Sequence, residues 1–178
     1  MKDYMLIALR EANKSIEYGD VPVGCVIVKD DKILAKAYNE REKKQKITKH
    51  AEIVAIEKAS KKLHTWHLDD CILYTTLSPC FMCTSVIIQS RIKKVIYGVP
   101  GEQFEQINKY LSLIDKNYKN ISFIQGLHRK ECLELLQKFF KEKRKKWYNG
   151  YSWMVIWCIR LYIENIDQKN WMKLLDKI

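Results

Sequence analysis

Along this chain the apolar residues switch back and forth between a period of 3.6 and a period of 2, and that alternation restricts the fold more than any other feature. Within Asp3–Tyr18, residues Met5, Leu6, Leu9, Ala12 and Ile16 fall on one helical stripe, ended by Gly19. Gly24–Val28 and Ile33–Tyr38 are β-rich runs joined through Asp30 and Asp31, the pattern of an antiparallel hairpin. A polar, lysine-rich loop is expected from Glu40 to Lys49. From His50 onward Ala51, Val54, Ala55, Ala59 and Leu63 recur at helical spacing, followed by a buried strand at Cys71–Leu77 that Pro79 stops. A helix at Cys80–Ser90, a strand at Lys93–Gly98, a helix at Phe104–Leu113, a strand at Ile121–Gln125 and a helix at Leu127–Lys146 complete the series. Such an order predicts an α/β layered sheet with helices on both faces and some antiparallel pairing.

A chain of 178 residues accommodates one domain of ordinary size with a real core, which we place at 1–146. From 147 to 178 the composition changes, with four of the five tryptophans and an apolar run from Trp153 to Ile163. That run is half the roughly 20 apolar residues a bilayer requires, and Arg160 interrupts it, so no membrane span is expected. The role of this extension is not legible; a helix docked on the domain or at a dimer contact is the expectation. Near the N-terminus the apolar stretch Met5–Leu9 is cut short by Arg10 and Glu11, which argues against a secretory signal and for a cytoplasmic protein. In that reducing compartment the six cysteines are expected to be thiols or metal ligands. A net charge of +11 favours a polyanionic partner, but with 26 lysines against 6 arginines a codon bias toward A and T would produce the same excess. Charge alone leaves nucleic-acid binding open.

Two segments carry chemistry. His50-Ala51-Glu52 and Pro79-Cys80-Phe81-Met82-Cys83 each stand where a helix is expected to begin. Two cysteines three apart on a first helical turn can face one ion, and the positive helix N-terminus favours their thiolate forms. One imidazole and two thiolates give tetrahedral zinc three protein ligands and leave the fourth position for water, whose pKa zinc lowers from 15.7 to about 7. Glu52, two residues from His50 and not itself a ligand, is placed to carry protons for a hydrolytic deamination of a nucleobase. The competing reading is a closed structural zinc site in an RNA-binding module, with Cys71, His64 or His67 as the fourth ligand. Cys71 opens an apolar strand, where core packing is the commoner role, and His64 and His67 flank Trp66 in a turn.

Val21-Pro22-Val23-Gly24, Ala37-Tyr38-Asn39, His50-Ala51-Glu52-Ile53, Leu68-Asp69-Asp70-Cys71, Leu73-Tyr74-Thr75-Thr76-Leu77 and Pro79-Cys80-Phe81-Met82-Cys83 resemble the bacterial tRNA-specific adenosine deaminases of the cytidine-deaminase superfamily. The likeness runs from about Met5 to Lys146. It implies a cytidine-deaminase-like three-layer α/β/α sandwich on a mixed five-stranded sheet. It also implies one Zn2+ per subunit held by His50, Cys80 and Cys83, with Glu52 as proton shuttle, Asn39 gripping a flipped-out base and Val23 in the pocket wall. The implied substrate is adenosine at the wobble position of a tRNA anticodon stem-loop, and the implied assembly a homodimer. Phe139, Phe140, Lys141, Lys143, Arg144, Lys145 and Lys146 are similar to the family's C-terminal helix, which lies against RNA. Periodicity alone reads that segment equally well as an apolar stripe with a solvated basic end. The chain departs from the family in carrying Ser78, where Glu is usual, before Pro79-Cys80, and in the loop Val99-Pro100-Gly101-Glu102-Gln103-Phe104. A deaminase of a small base or nucleotide, such as guanine, cytosine or deoxycytidylate, is therefore the second expectation within the enzyme class.

Overall fold

The computed structural model of the protein describes residues 3–101, 104–114 and 118–150. Asp3 caps α1 (Tyr4–Ile16): its carboxylate accepts the backbone N–H groups of Met5 and Leu6, both at 3.1 Å. β1 (Gly24–Lys29) and β2 (Lys32–Tyr38) form the expected hairpin, with Asp30 and Asp31 in the left-handed conformation that a tight hairpin turn requires. The stretch expected to be loop after β2 contains a short helix, α2 (Arg41–Lys44). No local pattern announces it, because its N-terminal N–H groups are satisfied largely by a residue far back in the chain, described below. The remaining elements are α3 (Ala51–Leu63), β3 (Ile72–Leu77), α4 (Phe81–Gln89), β4 (Lys94–Val99), α5 (Phe104–Ile114), β5 (Ser122–Gln125) and α6 (Arg129–Gly150), with a 3-10 turn at Tyr118–Asn120. α6 starts two residues later than expected because Gly126 and His128 adopt positive φ and complete a turn first.

The strands lie in the order β2-β1-β3-β4-β5. β1 pairs antiparallel with both β2 and β3, whereas β3–β4 and β4–β5 are parallel, so the sheet is mixed. Side chains alternate across it with period 2. On one face Cys25, Ile27, Leu73 and Val95 pack against Ala51, Val54, Ala55 and Ala59 of α3 and Ile87 of α4. On the other, Val26, Val28 and Ile96 meet Tyr4, Met5, Ala8 and Leu9 of α1 and Cys132 of α6. This is the three-layer α/β/α arrangement. Because β3 and β4 run parallel and are each followed by a helix, the turn at the C-terminal end of β3 leads directly into the start of α4. Such carboxyl ends are where ligands bind in open α/β sheets.

α1 crosses β1 closely at Gly24. A Cβ there would fall on the Ala8 carbonyl oxygen and within 2.6 Å of the Ala12 nitrogen, both backbone atoms that cannot swing aside. Gly24→Ala is therefore expected to destabilise the fold by about 3 kcal/mol or more, the upper range for overpacking. Chemical denaturation measures this directly; a loss under about 1 kcal/mol would mean that α1 can lift from the sheet at no appreciable cost.

The chain divides into two compact units, Met1–Phe139 and Phe140–Ile178, and the described part of the second is the helical stretch 140–150. The Trp-rich segment from 151 on, including the run Trp153 to Ile163, lies outside the described residues. Among the described residues no helix is long and apolar enough to cross a membrane.

Candidate active site

His50 and Cys80 are the N-cap residues of α3 and α4, both with extended backbone, and Cys83 lies in the first turn of α4. α3 and α4 cover the same face of the sheet, so their N-termini bring the three side chains together. The Sγ atoms of Cys80 and Cys83 lie 3.7 and 3.5 Å from His50 Nδ1. All three ligand atoms fall within 4.8 Å of one another, and among the described residues no other cluster of His, Cys, Asp or Glu does this. Zinc at about 2.0 Å from nitrogen and about 2.3 Å from sulfur, with tetrahedral angles, separates N from S by about 3.5 Å. The trio is thus set at zinc-binding distances, and soft thiolates with an imidazole are a donor set suited to that ion.

The proposed fourth ligands of a closed site are elsewhere. His64 is the C-cap of α3, at the far end of 13 helical residues from Ala51, which is about 20 Å. His67 sits against the ring of Trp66, and Cys71 is buried in the core beneath α3 and α4. The trio therefore has an open fourth position among the described residues, as a catalytic site needs.

Glu52 is on the first turn of α3, 4% exposed, with its carboxyl against Cys83. Burial, helped by the Cys80 thiolate, pushes its pKa up to about 7 against the pull of its own backbone N–H and of His50. The hydrogen bond from the Cys83 thiol, aided by His50, holds Cys80 down at about 4. Cys83 is correspondingly raised by that same bond to Cys80 and by burial, and His50 is raised chiefly by its bond to Cys80. Both thiols have to be deprotonated for the trio to hold a metal, so binding there releases protons.

Asn39 directly follows β2 and is buried, with its side chain half engaged: Nδ2 donates to the Val21 carbonyl at 3.1 Å and Oδ1 accepts from the Arg41 N–H at 3.4 Å. A turn-forming Asn and a base-gripping Asn are thus compatible, since an amide has two donors and two acceptor sites. Val23 is joined to it, as the Asn39 N–H donates to the Val23 carbonyl at 2.9 Å, and its side chain enters the core on the α3 face. The backbone N–H of Glu40 bonds the Lys49 carbonyl at 2.9 Å, which brings Asn39 and His50 to the two ends of one closed loop.

On α6 Phe139 is buried, whereas Phe140, Lys141, Lys143 and Arg144 are exposed; the side chains of Lys145 and Lys146 lie outside the described residues. Of the lysines in the loop before His50, Lys44 and Lys46 are exposed. Lys43 and Lys49 are used within the fold. The Lys43 ammonium bonds Tyr38 Oη at 2.7 Å and sits 3.9 Å from the Tyr18 ring centre, and Lys49 pairs with Glu57 at 2.7 Å. Ser78, the residue departing from the family pattern, accepts the Gly101 N–H on its Oγ at 2.7 Å, tying the metal-ligand turn to the other departing segment. Asp20 was not marked by sequence reasoning, although it contacts this region. A single acid between Gly19 and Val21-Pro22 reads as an ordinary turn residue.

Residues 1–99 match the family of the cytidine and deoxycytidylate deaminase zinc-binding region. A tRNA-specific adenosine deaminase of Bacillus subtilis is 38% identical over 145 residues, covering 80% of this chain and 90% of the relative. A solved structure from work on A-to-I editing by tRNA:A34 deaminases superposes with a TM-score of 0.69 at 32% identity, over 75% of this chain and 98% of that one. A guanine deaminase from Bacillus subtilis gives a TM-score of 0.54 at 37% identity, over 60% of this chain and 69% of that one. With the open three-ligand site and its buried carboxyl already in place, the chain belongs to the zinc-binding cytidine and deoxycytidylate deaminase family, among relatives that carry the tRNA-specific adenosine deaminase name.

Proposed function

We propose that the protein hydrolytically deaminates adenosine to inosine at the wobble position of a tRNA anticodon. The observation that carries this reading is the trio His50, Cys80 and Cys83 with ligand atoms within 4.8 Å and the buried Glu52 carboxyl beside it. In this reading His50, Cys80 and Cys83 hold one zinc, which when bound supplies the Lewis acidity that makes water a nucleophile at neutral pH. The Glu52 carboxyl takes the proton of the attacking water and passes it to the ring nitrogen as oxygen adds to C6 of adenine. It then takes the remaining hydroxyl proton and delivers it to the exocyclic amine, which leaves as ammonia. The spare amide donor and acceptor capacity of Asn39 holds the flipped base, and Val23 backs the wall behind it.

Flipping a base out of a folded loop costs a few kcal/mol, offset by contacts to neighbouring phosphates. Phe140, Lys141, Lys143, Arg144, Lys145 and Lys146, and the exposed Lys44 and Lys46, are the residues we assign to RNA, whereas Phe139, expected with them, is buried and is left out of that set. We also retain 1–146 as the deaminase domain, 147–178 as its extension, a homodimeric assembly and a cytoplasmic location as parts of this reading. The relatives named for tRNA support it over the small-base alternative, for which guanine is the control substrate.

Turnover of an anticodon stem-loop is expected to fall about tenfold or more between 50 and 200 mM salt, the loss for roughly three neutralised phosphates. Replacing Lys141 and Lys143 by Gln should flatten that dependence, while free adenosine is turned over feebly or not at all. Salt-insensitive turnover of free guanine with none of the stem-loop would overturn the RNA reading and leave the zinc chemistry standing.

A further inference from the structure

The carboxylate of Asp20 is 1% exposed and makes bonds across more than twenty residues of sequence. Oδ1 accepts the N–H of Glu42 at 2.7 Å and Oδ2 accepts the N–H of Lys43 at 3.1 Å. These belong to the first turn of α2, whose own N-cap residue, Glu40, makes no side-chain cap bond. Counting the four N–H groups that a helix start leaves without intrahelical partners shows what Asp20 does. Glu40 N–H goes to the Lys49 carbonyl at 2.9 Å, Arg41 N–H goes to Asn39 Oδ1, and Glu42 and Lys43 go to Asp20, while Lys44 N–H makes the first intrahelical bond, to the Glu40 carbonyl at 2.9 Å. A four-residue helix has no intrinsic stability of its own, so this external capping is what holds its shape.

The shape matters because of where the segment leads. α2 continues into a turn in which Lys46 N–H bonds the Arg41 carbonyl at 3.2 Å and Lys49 N–H bonds the Lys46 carbonyl at 3.1 Å. The Glu40 N–H then closes the loop on the Lys49 carbonyl, one residue before His50. Asp20 also stands directly before Val21, whose carbonyl holds the Asn39 amide. One buried carboxylate is thus connected by backbone hydrogen bonds to the residue before the imidazole ligand and, through its neighbour, to the asparagine assigned to the base.

We propose that Asp20 is a positioning residue of the metal site, its carboxylate fixing the 40–49 loop so that His50 is delivered in register with Cys80 and Cys83. The proposal rests on the reading of His50 as a ligand. Groups that orient a metal ligand from behind commonly change metal affinity by 10–100-fold when removed. Asp20→Ala leaves the Glu42 and Lys43 N–H groups without their acceptor. Asp20→Asn keeps one acceptor oxygen and turns an N–H₂ group toward the other donor.

The test is the rate at which the zinc-loaded full-length protein gives up its metal to an excess of a chromogenic chelator, well below the unfolding temperature. Release is expected about tenfold or more faster in Asp20→Ala and about threefold faster in Asp20→Asn, with kcat lowered more than KM is raised. Met5→Ala is the control, because Met5 is fully buried on the opposite face of the sheet. It should lower the melting temperature and release zinc at the wild-type rate. If Asp20→Ala fails to fold, Asp20→Asn decides alone. Wild-type release from every Asp20 variant that folds, or acceleration matched by Met5→Ala, overturns the proposal and leaves Asp20 a stabiliser of the fold only. Failure of the underlying reading looks different: His50→Ala would then bind zinc as tightly as the wild type.

Discussion

Glu52→Gln is expected to keep one zinc per subunit and to lose deamination by about a thousandfold or more, within the 10²–10⁴ that a positioned general acid–base supplies and above its lower end because one group serves several proton transfers. Glutamine has the shape of glutamate, so the first turn of α3 and the contact with Cys83 need not move. What it lacks is a proton-accepting carboxylate, which the reaction needs both to activate water and to protonate the leaving amine. Metal content measured beside kcat separates the two roles. Retained zinc with activity within tenfold of wild type would mean that another group moves the protons; lost zinc would mean that Glu52 supports the metal site itself.

The second large effect is expected at Cys83. Its thiol is fully buried, 3.5 Å from His50 Nδ1 and bonded to Cys80. Cys83→Ser puts a poorly ionised hydroxyl in place of a soft thiolate, and zinc content should fall from one per subunit to nearly none after dialysis against a mild chelator. Cys71→Ser is the internal comparison. Cys71 is equally buried but belongs to the core under α3, so its serine variant should cost stability and keep the metal. An empty site in Cys71→Ser would restore the closed, structural reading, and zinc retained in Cys83→Ser would overturn the ligand trio itself.

These residues were legible because their chemistry is local. His50 and the Cys80–Cys83 pair are each marked by the helix they open, and a helix start is written in short-range signals: an apolar stripe, a preceding proline, a change of period. The β-rich run Gly24–Val28 likewise marked a strand, and its unbroken apolar stretch Val26-Ile27-Val28 fits the burial of both its faces. What stayed hidden depends on partners distant in sequence. α2 could not be read because Asp20, which caps it, lies 22 residues before Glu42. The lysines before His50 looked alike, yet Lys43 lies over Tyr18 and Lys49 pairs with Glu57, leaving different work for Lys44 and Lys46. The link between Ser78 and Gly101 joins two departures from the family pattern that the linear sequence shows as unrelated.

The central claim is the identity of the base and of the molecule that carries it. Zinc-loaded protein should be incubated with an anticodon stem-loop bearing adenosine at the wobble position, and separately with free guanine, and the products separated by mass. The account predicts conversion of that one adenosine to inosine, one unit heavier, with guanine unchanged. Xanthine formed from guanine while the stem-loop comes back intact would contradict it.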